Sequence, residues 1–304
     1  MASNWQHLVQ YYETDLAGIV HHSNYVRWFE EARTWLMSDM GYDYAQMEAD
    51  GVLVPVLAIK AQYKRMTRFG ETVNIAAKVE HFNGVTMTLS YEVTDVAAGK
   101  LKASGSSTHA FLAKDSYRPI ALRRSLPAVH EIFAARLALD QADDALTTNT
   151  RRARTTTAEI NFTAPSAVST LHKVQIYETD QMAIVHHSNF ARFFEEARTD
   201  LMAQIGFTEN EQAELGVLAA LVELTADYKT MIRFGESVTI QARISGVEGN
   251  KIHIAYQILD LASSELRSVG QSTQQAIDLG GDRSFQLADA LPDLYARLEA
   301  LAAE

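Results

Sequence analysis

The sequence predicts an α+β protein made of two tandem copies of one fold, each a long helix wrapped by an antiparallel sheet of about five strands. Three observations carry that expectation. First, residues 12–34 read YETDLAGIVHHSNYVRWFEEART and residues 177–199 read YETDQMAIVHHSNFARFFEEART, identical at 17 of 23 positions at an offset of 165. The same offset relates Gly51-Val52-Leu53 to Gly216-Val217-Leu218, Arg68-Phe69-Gly70-Glu71 to Arg233-Phe234-Gly235-Glu236, Gly105 to Gly270, and Leu126-Pro127 to Leu291-Pro292, without a gap. A period this long marks a duplicated domain, because solenoid repeats run at roughly 20–50 residues. Second, Tyr25, Trp28, Phe29, Ala32, Trp35, Leu36 and Met40 recur at helical spacing and give a wide apolar stripe. Third, strand-like alternation follows, clear in Thr72-Val73-Asn74-Ile75-Ala76 and in Lys251-Ile252-His253-Ile254-Ala255-Tyr256.

Each copy opens with a strand-like stretch, His7–Tyr11 and His172–Ile176. The long helix begins after the His-His pair, with Ser23 or Asn24 placed to cap it and Gly41 or Gly206 suited to its C′ position. A short helical segment precedes four strands near 55–66, 71–82, 86–96 and 101–113. Asn83-Gly84 and Gly249-Asn250 fit tight hairpin turns. A closing helix starts at Pro127 and Pro292, where proline suits the first turn. The boundaries are then 1–140 for the first domain, 141–165 for a polar linker in which Ile160 and Phe162 could add a short strand, and 166–304 for the second domain. An apolar helix must be covered by its sheet, and open sheet edges must be paired or protected. The two copies are therefore expected to pair edge to edge as an internal pseudo-dimer, and two chains could associate further into a homodimer.

Composition narrows the function classes. With 304 residues, 47% of them hydrophobic and 21% charged, the chain has material for two cores and is unlike a disordered segment. A net charge of −11 disfavours a nucleic-acid partner, which calls for a basic excess. No cysteine is present, so a disulfide scaffold, a thiolate zinc site and a cysteine nucleophile are excluded. The start, MASNWQHLVQYYETD, has no apolar run behind a basic segment, and no stretch of 18 apolar residues occurs. No membrane partner is expected, and the default compartment is the cytoplasm.

The run Y-E-T-D-x-x-G-I-V-x-H-x-x-Y followed by E-x-A-R, from Tyr12 to Arg33, resembles the hotdog-fold acyl-CoA thioesterases of the 4-hydroxybenzoyl-CoA thioesterase and YbgC type. The resemblance covers nearly the whole chain as two copies, with the Phe-Gly-Glu turn at 69–71 as weaker support. It implies a tandem double hotdog that hydrolyses a thioester to a free acid and a thiol, usually coenzyme A, without a metal or organic cofactor. An acyl carrier protein thioester is the alternative form of the substrate. Carried over position by position, the catalytic aspartate matches Asp15 and Asp180, and the motif histidine matches His22 and His187. The glycine of G-I-V is Gly18 in the first copy but Ala183 in the second, which puts the geometry of the second loop in question. The tyrosine just upstream fits Tyr11 or Tyr12.

These residues make chemical sense. The loop leads into a helix N-terminus, whose first N–H groups lack intrahelical partners and whose dipole favours negative charge. The backbone amides of His22 and Ser23, and of His187 and Ser188, are candidate oxyanion donors. Asp15 could attack the thioester carbonyl or activate a water as general base. Gly18, Ile19 and Val20 would line the substrate, and Arg68 and Arg233, with Lys64 and Lys229, could meet coenzyme A phosphates. The His-His pair has no third ligand at convincing spacing, so no metal is expected. Ser23 and Ser188 lack the G-x-S-x-G elbow. Trp28, Phe29 and Trp35 read as core. Two rival readings remain: a hotdog enoyl-acyl hydratase or dehydratase, and a non-catalytic acyl-CoA-binding module. The loss of glycine at Ala183 further predicts two sites of unequal activity, with the Asp15 site faster.

Overall fold

The computed structural model describes residues 3–142, 160–279 and 283–304, and the chain divides into two compact units, Met1–Ala153 and Arg154–Glu304. In the first unit the order is β1 (Ser3–Leu8), α1 (His22–Asp39), α2 (Tyr44–Ala49), β2 (Val52–Leu53), β3 (Val56–Tyr63), β4 (Thr72–Phe82), β5 (Thr86–Asp95), β6 (Leu101–Ala110), β7 (Leu112–Ala113), α3 (Leu122–Ser125) and α4 (Pro127–Ala142). Its main sheet is antiparallel with spatial order β1-β4-β5-β6-β3. The second unit repeats this with β8 (Val168–Lys173), α5 (Asn189–Gln204), α6 (Glu209–Glu214), β9 (Val217–Tyr228), β10 (Ser237–Glu248), β11 (Lys251–Asp260), β12 (Leu266–Asp278), α7 (Leu287–Ala290) and α8 (Pro292–Ala303). Its sheet runs β8-β10-β11-β12-β9. Two tandem hotdog units, each a five-stranded sheet around one long helix, are what the repeat and the periodicities predict.

The helix seats itself on the sheet through one contact. A Cβ built on Gly105 of β6 would meet the Phe29 ring and lie 2.6 Å from the Lys60 carbonyl oxygen, so only glycine lets α1 approach this closely. The Phe29 ring then stacks on Tyr91 at 4.6 Å with planes 9° apart. Gly270, Phe194 and Tyr256 repeat the arrangement, with rings 4.6 Å apart. Trp28, Leu36, Ile75, Leu89 and Phe111 fill the first core around this point.

Several local expectations are corrected. The opening strands stop at Leu8 and Lys173, and the next residues form 3-10 turns at Tyr11–Glu13 and Ile176–Glu178. The cause is a capping box: the Glu13 carboxylate accepts the Gln10 N–H at 2.7 Å and curls the chain out of the sheet. The cap of α1 is neither Ser23 nor Asn24 but His21, whose Nδ1 accepts the Ser23 N–H at 3.3 Å. Trp35 is not core; it is 44% exposed and packs on Trp5 with ring centroids 5.4 Å apart. The stretch 101–113 is interrupted at Phe111, where the chain leaves β6 and pairs Leu112-Ala113 with Val52-Leu53 instead. Ile160 and Phe162 form no strand, and the turn around Asn161 leads into β8. Most of the expected linker, residues 143–159, lies outside the described residues.

A buried lysine and a partly buried arginine fix the loops that follow β3 and β9. Lys102 Nζ donates to the Met66 carbonyl at 2.9 Å and to Glu71 at 2.8 Å, with Asp95 at 3.5 Å. Arg267 takes its place in the second unit, donating to the Met231 carbonyl at 3.1 Å and to Asp260 at 3.0 Å. The loops they hold carry Thr67 and Ile232, which in turn anchor the aspartate loops described next.

Candidate active site

Asp15 sits in a five-residue turn closed by a bridge between Thr14 and Val20. Its N–H donates to the Ile19 carbonyl at 2.9 Å, and its carbonyl accepts the Gly18 N–H at 2.9 Å. The carboxylate is oriented by the Ala17 N–H, which donates to Oδ1 at 2.9 Å. Val20 donates to the Thr67 carbonyl at 2.8 Å, tying the turn to the loop held by Lys102. Asp15 itself is exposed at the foot of α1.

Gly18 closes this turn with φ +69, a left-handed conformation that favours glycine. Ala183 adopts it regardless, with φ +58. The second turn keeps the internal bonds of the first. Asp180 donates to Ile184 at 3.0 Å, Ala183 donates to the Asp180 carbonyl at 2.9 Å, and the Met182 N–H holds the Asp180 carboxylate at 2.8 Å. The expectation of an altered second loop is therefore not met; the substitution introduces backbone strain and leaves the hydrogen-bonded geometry intact.

The start of the helix is built on Glu13. Its carbonyl accepts the His21 N–H at 2.8 Å and the Asn24 side-chain amide at 2.8 Å. Glu178 does the same for His186 and Asn189, both at 2.8 Å. The Tyr63 hydroxyl donates to the His22 carbonyl at 3.1 Å, and Tyr228 to that of His187 at 3.0 Å. Burial above all, and then the charges of Glu71 and Asp15, push the Tyr25 hydroxyl upward. Asp15, His22 and the first helical amides thus gather at one end of α1.

The two neighbouring histidines differ in task. His21 Nδ1 faces both the N–H and, at 2.8 Å, the hydroxyl of Ser23, so its ring caps the helix. His186 repeats this with Ser188. The amides of Ser23 and Ser188 therefore already donate to a ring nitrogen, a geometry the sequence does not reveal. Arg68 and Arg233 are exposed beside the loops; Arg68 Nη1 donates to the Gly18 carbonyl at 3.4 Å, and Arg233 bridges to Ile184 through its backbone. Lys229 lies 3.6 Å from Asp227. Tyr63 and the role of Glu13 escape the sequence reading, and Asn24 is read there only as a cap, although the offset of 165 carries each onto its own kind at Tyr228, Glu178 and Asn189.

A family model described as the thioesterase-like superfamily matches residues 9–137 and again 174–298. The chain belongs to the thioesterase-like superfamily. Thioester hydrolysis is accordingly its reaction class. The Bacillus subtilis protein named "Putative acyl-CoA thioesterase YneP" is 38% identical over 125 residues, which span 41% of this chain and 90% of that protein. The Escherichia coli O6:H1 acyl-CoA thioester hydrolase YbgC is 23% identical over 30% of this chain and 68% of its own length. Among solved structures, an acyl-ACP thioesterase from Bacteroides thetaiotaomicron covers 90% of this chain and 97% of its own at TM-score 0.68 and 13% identity, a likeness of fold. No helix of the described residues is long and apolar enough to cross a membrane.

Proposed function

We propose that each copy hydrolyses an acyl-CoA thioester to the free acid and coenzyme A, with Asp15 and Asp180 as the catalytic carboxylates. The observation that carries this reading is the duplicated loop. In a thioesterase-superfamily chain, both copies hold an aspartate in the same turn, oriented by the same N–H, at the start of the long helix. There the carboxylate can attack the thioester carbonyl, expelling the thiolate and forming a mixed anhydride that water opens. Alternatively it takes a proton from water as hydroxide adds to the carbonyl. The negative oxygen formed in either route suits the helix N-terminus, where the amides of His22 and His187 lead and those of Ser23 and Ser188 are shared with a ring. His22 and His187 would orient the carbonyl or the water. Ile19 and Val20, and the Gly18 carbonyl held by Arg68, would flank the acyl group, with Arg68 and Arg233 toward the coenzyme A phosphates.

Coenzyme A is favoured over a carrier-protein thioester by YneP, which matches this chain over nine-tenths of its own length. A panel of acyl-CoA esters, with free thiol followed by a disulfide dye, tests the reading and finds the acyl group. Thiol release that disappears in the Asp15→Asn, Asp180→Asn double variant supports it. Loss of enoyl absorbance without thiol release would assign a hydratase instead, and binding without either would leave a binding module.

A further inference from the structure

We infer that His7 and His172, each clamped between two carboxylates, are positioning residues that hold the aspartate loop of their own copy against the start of its long helix, an inference that rests on the thioesterase reading above. His7 Nε2 lies 2.9 Å from Glu13 Oε2, and its Nδ1 lies 3.1 Å from Glu31 Oε2. His172 stands 3.0 Å from Glu178 and 3.0 Å from Glu196 in the same way. An ionised carboxylate only accepts, so satisfying both bonds requires a hydrogen on each ring nitrogen, which makes the ring an imidazolium. A neutral imidazole has one N–H and must release one of the two carboxylates.

The clamp is aimed at the loop. Glu13 stands two residues before Asp15, and its side chain also accepts from the Gln10 N–H at 2.7 Å and from Trp28 Nε1 at 2.8 Å. Its carbonyl is the acceptor on which the helix start is built. Glu31 lies on α1 itself. One charged ring on β1 therefore ties the strand, the turn before Asp15 and the helix together, and Glu178, Glu196 and α5 repeat the tie around His172.

The surroundings make the charge titratable at alkaline pH. The neighbouring strand sets Val73 opposite His7 and Val238 opposite His172, and the helix lays the Trp28 ring 4.9 Å and the Phe193 ring 4.3 Å from them. The charges that face the rings are Glu13 and Glu31 in the first copy, and Glu178 and Glu196 in the second. Asp200 lies one helical turn beyond Glu196 and accepts from Thr170. The Glu196 hydrogen bond, opposed by burial and joined by the Glu178 bond, pushes His172 up to about 9. Burial of His7 is outweighed by its bonds to Glu31 and Glu13, and it too is raised. In the first copy, Trp5 Nε1 donates to Glu31 at 2.9 Å and Trp28 Nε1 donates to Glu13, so indoles compete for the same carboxylates. Those positions are Thr170 and Phe193 in the second copy, so its alkaline limit should lie higher.

The test reads one copy at a time. The Asp15→Asn chain leaves the second aspartate, and kcat and KM for an acyl-CoA accepted in the panel are followed across neutral and alkaline pH. The expected kcat falls about tenfold per pH unit above about 9, as one group loses its proton, with KM little changed. His172→Gln in that background should lower kcat at neutral pH about ten- to a hundredfold and abolish the alkaline fall. Glu196→Gln, at the half-exposed end of the clamp, keeps the ring and should move the fall toward acid by about one unit or more. Imidazole nitrogen shifts in the NMR spectrum should follow the same titration. A fall unmoved by both substitutions, in a chain that turns over thioesters, would overturn this inference and leave the thioesterase reading standing. Absence of turnover in the unsubstituted chain would sink both.

Discussion

Ala183→Gly should stabilise the second copy, and the structure supplies the size of the effect. Ala183 is held at φ +58 by the hydrogen bonds of the aspartate turn. A side chain in the left-handed region costs roughly 1–2 kcal/mol. Glycine removes that strain but frees the unfolded chain, which offsets about 0.4–1 kcal/mol. The net gain is then about 0.5–1 kcal/mol, or a rise of roughly 1–4 °C in Tm for a unit of about 150 residues. Gly18→Ala is the mirror experiment. A Cβ there would lie 3.9 Å from Arg68 Nη1, ordinary contact, so the strain alone should appear, with the opposite sign and a similar size. Differential scanning calorimetry of the two variants measures both shifts, and hydrolysis in single-aspartate backgrounds measures their effect on rate. Because the two turns share their bonds, neither variant should change its site's rate more than about threefold. Destabilisation by Ala183→Gly, or a loss beyond about 3 kcal/mol in Gly18→Ala, would refute the strain argument.

With the bonds of the second turn intact, the unequal activity expected from Ala183 gives way to two comparable sites. Asp15→Asn and Asp180→Asn made singly should each leave about half of the thioesterase activity, and together should remove at least about a hundredfold, by the thiol-release assay; one silent single variant would show that a site is idle. Gly105→Ala should destabilise the first unit by about 1–3 kcal/mol in urea unfolding, because its Cβ must displace the Phe29 ring or the β3 backbone. His172 is raised to about 9 from an ordinary value of 6.5, so its contribution to stability is complete below about 6.5 and is lost as pH rises through about 9. Melting temperature against pH should show that loss in the unsubstituted chain and a smaller one, left by His7, in His172→Gln.

The sequence exposes what repeats or alternates. The helix that begins at His22, the strands from Thr72 onward and the closing helices at Pro127 and Pro292 follow from periodicity and from proline's fit to a first turn. Gly105 and Gly270 are visible as a repeated pair, but the ring that demands them lies 76 residues away in each copy, at Phe29 and Phe194. The cap illustrates a different limit. Ser23 is the better cap by residue type, yet the turn before it aims the His21 ring at the first amides. Trp35 fits the apolar stripe by spacing alone. It falls on the edge of the buried face, where Trp5 of β1 covers one side of its ring and solvent the other. His7 reads only as a strand residue, because alternation assigns a face and says nothing of the two carboxylates that converge on it.

Comparing the copies separates what the site needs from what merely fills space. Asp15, His22, Glu13, His7, Glu31, Asn24 and Tyr63 all have identical counterparts 165 residues on, and the hydrogen bonds of the His-Glu clamp, the aspartate turn and the helix start recur within about 0.1 Å. Beside them the aromatic surround has changed in a coordinated way. Trp5 and Trp35 pack ring to ring in the first copy; at the same two positions the second has Thr170 donating a hydrogen bond to Asp200. Either pair is self-consistent, whereas a mixed pair would set a carboxylate against an indole ring face or leave a threonine hydroxyl without that acceptor. Trp28, which donates to Glu13, becomes Phe193, and the ring stays while the donor goes. The parts that tolerate exchange act through area, through a paired contact or, like the two indole N–H groups, as an added donor to a carboxylate that the histidine already holds. The parts that do not change act through direction, as a hydrogen bond aimed at the aspartate turn or at the first residues of the helix. That division places the His-Glu clamp with the aspartate loop rather than with the packing around it.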